Sequence, residues 1–159
     1  MKNTFRLLTV ACVFLFAACD DEDEEANLNR TQLLTSGAWQ ISSSTVNPAR
    51  DFNGDGTPET DLTQFIKPCN LDDITIYKTD KTYSEEEGAT KCNPASPQVY
   101  GTGTWSLGNN DTELTTTATG ASSSITYKIE EISANSLRLS QEVTDSSGAT
   151  YTFTSTWKH

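Results

Sequence analysis

Asp51, Asn53, Asp55, Thr57, Glu59 and Asp61 set oxygen-bearing residues at alternate positions, with Gly54 and Gly56 interleaved. Hard oxygens at the first, third and fifth positions with glycine at the sixth form the spacing that wraps a calcium ion. In that reading Asp51, Asn53, Asp55 and Asp61 supply side-chain oxygens, Thr57 offers its carbonyl, and Glu59 acts directly or through a water. A helix-flanked calcium loop needs glutamate at the twelfth position, where this chain has Leu62, and both flanks read as extended or coiled. Asn-Gly and Asp-Gly pairs also make turns without any ion. A calcium loop and a plain turn decorating a strand connection both remain open.

The cysteines stand at 12, 19, 69 and 92. Lys2 and Arg6 precede an apolar run, Leu7 to Phe16, that is shorter than the roughly 20 residues a spanning helix needs and reads as a signal peptide over residues 1–18. Phe16-Ala17-Ala18-Cys19 resembles the box of bacterial lipoproteins, which implies lipidation of Cys19 and its exposure as a new N-terminus. Several acyl chains on one cysteine hold a protein stably to a membrane without crossing it. Asp20 to Glu25 are six successive carboxylates, expected as a solvated tether over residues 19–27. An acidic stretch at this place resembles the surface-export signal of Bacteroidetes lipoproteins, which implies display on the outer membrane's outer face; the plain alternative is a linker on a periplasm-facing lipoprotein. Cys69 and Cys92 then remain, in an oxidising compartment, and are expected to pair.

The whole chain carries 22 acidic against 11 basic residues, a net charge of −11, which repels nucleic acid. Its single histidine is His159, so imidazole acid-base chemistry and thiolate or imidazole metal sites lack their parts. Adjacent acids such as Glu85-Glu86-Glu87 and Glu130-Glu131 point to opposite faces of a strand and read as solvated charge rather than as a glycosidase pair. No catalytic residue emerges, and the chain is expected not to be an enzyme.

These residues must be carried by something, and residues 28–159 read as one domain. Asn27 or Asn29 caps a short helix over Arg30 to Thr35, ended by Ser36-Gly37. Beyond Trp39 the pattern is all-β: strands over Ala38 to Val46, weakly over Leu62 to Ile66, then Asp73 to Tyr77, Thr82 to Glu86, Val99 to Leu107, Glu113 to Thr117, Ser124 to Ile132, Leu137 to Val143 and Thr150 to Trp157. Gly101 and Gly103 share one alternation with Trp105 and Leu107, allowing strong bending or close approach. Short turns at regular spacing suggest an up-and-down meander of about eight strands closed into a small barrel, with a sandwich as the alternative. Trp39, Trp105 and Trp157 read as core.

Gly37-Ala38-Trp39, after a helix and at the start of the first strand, is similar to the Gly-x-Trp signature of lipocalin barrels. The segment Cys69 to Tyr77, then Thr82-Tyr83, Gly88, Cys92 and Gly103 to Leu107, resembles the lipocalin-like domain of many Bacteroidetes lipoproteins. The resemblance spans about Leu33 to Trp157. It implies a barrel with an internal or mouth-facing cavity for a small hydrophobic or amphipathic molecule, and a basic side chain, Arg138 or Lys158, over Trp39. Lys81 stands where the family often has glycine. The alternative function is a surface accessory protein whose barrel is filled and whose loops, with or without calcium, contact a protein or glycan.

Overall fold

The computed structural model describes residues 29–159; the leader, Cys12, Cys19 and the acidic run at 20–25 lie outside the described residues. Asn29 caps helix α1 (Arg30–Leu34): its side chain accepts the Gln32 N–H while the Gln32 side chain accepts the Asn29 N–H, both at 2.9 Å. So short a helix persists only by burying Leu33 and Leu34. Nine strands follow among the described residues: β1 (Ala38–Arg50), β2 (Glu59–Asp61), β3 (Ile74–Tyr77), β4 (Thr82–Glu86), β5 (Val99–Gly108), β6 (Glu113–Ala118), β7 (Ile125–Ile132), β8 (Ser136–Thr144) and β9 (Thr150–Lys158).

Eight of them close a barrel. The strands β3 to β9 pair in sequence, all antiparallel, and β1 joins the two ends by pairing with β3 through Ala38–Gln40 and with β9 from Gln40 to Asn47. Closure satisfies the edges an open sheet would expose. The ninth strand, β2, lies on the outer half of β1, with Thr45 opposite Asp61 and Arg50 opposite Glu59, which holds β1 extended past the expected end at Val46. Leu62 to Ile66 is not a strand. The Asp61 carboxylate accepts the Thr63 N–H at 2.8 Å, and a 3₁₀ turn over Thr63–Phe65 follows.

Strand direction gives the barrel two different ends. At one, α1 plugs the interior: Leu34, Trp39, Leu114 and Leu137 are fully buried, and the Trp39 indole donates to the Leu34 carbonyl at 2.9 Å. The turn from β3 to β4 belongs to this end, with Lys81 at φ 69° in the left-handed region and its ammonium 3.9 Å from the centroid of the Trp105 ring. That cation–π contact helps a lysine hold a conformation that favours glycine. At the other end, the mouth, lie the long connections 51–73 and 87–98. Cys69 and Cys92 join them through a disulfide, Cα atoms 5.2 Å apart. Beside it the Asp72 carboxylate accepts both the N–H and the hydroxyl of Thr90, which keeps its pKa below the usual range. The large apolar residues left exposed, among them Phe52, Phe65, Val99, Ile125 and Val143, all belong to the mouth.

Candidate functional site

Alternation along paired strands decides what faces the interior. Tyr77 lies opposite Tyr83 and Tyr83 opposite Gly103; one step toward the mouth, Thr75 lies opposite Glu85 and Glu85 opposite Gly101. The two glycines leave space that their neighbours fill. A Cβ at 103 would collide with the Tyr83 ring and one at 101 with the Glu85 carboxylate. The glycines expected to give bending or close approach therefore give close approach, at Gly101 of the Glu85 side chain and at Gly103 of both the Thr117 backbone carbonyl and the Tyr83 ring.

Above the plugged end the interior stays hollow. A cavity of about 120 Å³ is walled by Tyr77, Tyr83, Tyr127, Leu139 and Trp157, with Thr75, Thr116, Ser155 and Glu85 supplying polar atoms. That is roughly ten times the smallest space that holds one water molecule. A second pocket of about 190 Å³ at the mouth shares Thr75, Glu85 and Trp157 with it and adds Ile66, Asp73 and Tyr100. Tyr100 enters this wall at an irregularity: the register shifts between Glu85 and Glu86, so Tyr100 is the unpaired residue between Gly101 and Val99. A larger hollow of about 450 Å³ lies on the outer, polar side of the barrel, between residues such as Lys128, Glu130 and Ser140.

The interior site is acidic and lacks a counter-charge. Neither pocket is lined by a lysine, arginine or histidine, and Glu85 takes part in no ion pair among the described residues. Burial pushes the Glu85 carboxyl above its ordinary value. Burial raises the Tyr77 hydroxyl strongly, and raises Tyr83 and Tyr127 with help from the Glu85 charge. Trp157 keeps a buried indole N–H with no acceptor. The Trp157 indole is thus a buried donor left for something else to satisfy, beside a partly exposed Glu85 carboxylate that pairs with no cation among the described residues.

The loop residues singled out by spacing behave unequally. Carboxylate oxygens of Asp51, Asp55 and Glu59 come within 4.8 Å of one another. Asp51 accepts the N–H groups of Gly54 and Gly56, both at positive φ, while Asn53 donates to Asp55, Asp55 accepts the Thr57 N–H, and Glu59 accepts the Phe52 N–H. Asp61 is turned away, onto Thr63. Gly37 and Trp39 sit at the plug, but the side chain over Trp39 is His159, ring centroids 3.9 Å apart, and not Arg138 or Lys158. Arg138 reaches Glu131 at 3.7 Å instead. A Cβ at Gly37 would lie 2.8 Å from the same histidine ring. Two acids read as solvated charge are also otherwise: Glu85 faces the cavity and Glu87 is buried. Trp39 and Trp105 are core, and Trp157 packs against that core while also walling the cavity. The missed signal was alternation itself, because an inward Tyr83 places Glu85 inward too.

A closed antiparallel barrel, plugged by a short helix at one end and hollow toward the other, has the architecture of the lipocalin class. The sequence model of the lipocalin-like domain matches residues 35–139, more than half of the chain, and the chain belongs to that family. No curated protein matches it in sequence. Among solved structures, a complex of bovine odorant binding protein with undecanal is similar at 16% identity, over 86% of this chain and 76% of that one, with a TM-score of 0.41.

Proposed function

We propose that this chain is a non-enzymatic binding protein whose barrel takes up one small hydrophobic or amphipathic molecule, and that it works as an outer-membrane lipoprotein, exposed at the cell surface and anchored through Cys19. The observation that carries the binding reading is the hollow between the plug and the mouth, with its aromatic walls and the unpartnered Trp157 indole. Small barrels are either filled by their own side chains or hold one ligand, and in this one a hollow remains above the plug. The anchoring reading is supported by Lys2, Arg6, the short apolar run and the small residues before Cys19.

Native mass spectrometry of the protein purified from its own membranes tests both. The expected result is an N-terminus at acylated Cys19 together with a retained small organic mass. A free, unacylated N-terminus elsewhere overturns the anchor. A bare protein mass that no apolar or amphipathic probe can shift overturns the carrier and favours the accessory reading, in which the mouth loops make the contacts.

A further inference from the structure

The hollow of a carrier can be lined so as to choose among amphipathic molecules by the charge of their polar end. Here the polar end of the site is built around one carboxylate. Glu85 bounds both the inner cavity and the mouth pocket, so a molecule passing from one to the other passes this group. The space it occupies exists because residue 101 is glycine, since a side chain there would collide with the carboxylate. Asp73 lines the mouth pocket as a second acid. The walls bring no cation to either of them: Arg50, on β1, pairs with Asp145 at 3.8 Å, and Arg138, on β8, with Glu131 at 3.7 Å.

The aromatic residues around this carboxylate matter as much as the charge. Tyr77 and Tyr83 have ring centroids 6.0 Å apart, and Tyr127 and Trp157 complete the wall. Aromatic faces attract cations, and the attraction grows when water is excluded. A carboxylate beside several such faces suits an organic ammonium, while a fatty carboxylate would meet like charge in a partly desolvated site.

We propose that the lumen selects cationic amphiphiles: a primary or substituted ammonium group is held at Glu85 among Tyr77, Tyr83 and Tyr127, with its apolar chain against Leu139 and Trp157. The inference rests on the reading of the lumen as a binding site and narrows that reading to one ligand class. Its pH dependence has a definite sign. Protonating Glu85 removes the attraction, so ammonium binding weakens as the pH falls through the raised pKa of this carboxyl. The other ionisable groups facing it are Asp73 and the hydroxyls of Tyr77, Tyr83, Tyr100 and Tyr127, and burial keeps those four hydroxyls neutral.

The test is a calorimetric titration of the purified chain with three probes of equal chain length: hexylammonium, 1-hexanol and hexanoate. Wild type is expected to bind hexylammonium about tenfold more tightly than hexanol, the low end of what a charge-assisted hydrogen bond contributes, and hexanoate most weakly. Glu85→Gln keeps the volume and should bind amine and alcohol alike. Glu131→Gln, an equal charge change outside the barrel, should keep the preference. Gly101→Ala, which leaves the net charge unchanged but displaces the carboxylate, should reduce the preference and guards against a folding defect in the glutamine variant. If hexanol binds as tightly as hexylammonium, or the preference survives in Glu85→Gln, the ammonium assignment falls while the cavity reading stands. If none of the probes binds, both fall.

Discussion

Glu85 makes its own energetic prediction at the level of the single residue. A carboxyl whose pKa is raised by folding binds its proton more tightly in the folded chain, so stability declines as the pH rises from the ordinary value of 4.5 through the raised one. Above that window the cost is complete. Glu85→Gln should therefore melt higher than wild type at neutral pH, by less than about 1 kcal/mol because the group is only partly buried and solvent screens it. The difference should close as the pH falls below the ordinary carboxylate range, as thermal melts across pH would show. A variant less stable than wild type at neutral pH would contradict this account. Three aspartates outside the cavity behave oppositely: Asp72, Asp80 and Asp145 are lowered by hydrogen bonds from Thr90, Thr82 and Ser147, and their contribution is lost as the pH drops. What the sequence could show here follows from range. The roles of Trp39 and Trp105 were legible because large aromatics on an alternating face are nearly always core. The contact of His159 with Trp39 was not, because it joins residues 120 positions apart and no local periodicity records that.

Among the elements, boundaries were legible wherever a strand ends at its own turn, and they slipped where a distant partner extends or stops it. The β3–β4 hairpin lies where the strands expected over Asp73 to Tyr77 and Thr82 to Glu86 put it. The far half of β1 runs on only because β2 pairs with it, and the strand expected over Leu62 to Ile66 gives way to the bond from Thr63 to Asp61. Two elements carry measurable loads. Replacing both Cys69 and Cys92 with serine should cost about 3 kcal/mol, as loop-closure entropy predicts for a separation of 23 residues, with the mouth loops losing hydrogen-exchange protection before the strands do. Removing the cap by Asn29→Ala should cost about 1 kcal/mol, read from denaturant midpoints, and should loosen the plug rather than the mouth. Equal loss of protection at both ends in either variant would mean that the two ends are not separate.

For the molecule as a whole, closure was readable in the number and spacing of strands, while the hollow was not, since composition does not say whether inward side chains meet across a barrel. That depends on pairings such as Glu85 with Gly101, where one strand's missing side chain makes room for another's. The plug has a further consequence. Residues Asn29 and Arg30 enter the barrel at the closed end, and every long connection lies at the opposite pole. A barrel tethered through the residues before Asn29 is therefore held by its base. Under the proposed anchoring through Cys19, the tether would join the pole opposite the mouth and leave the opening free to exchange with the surrounding water.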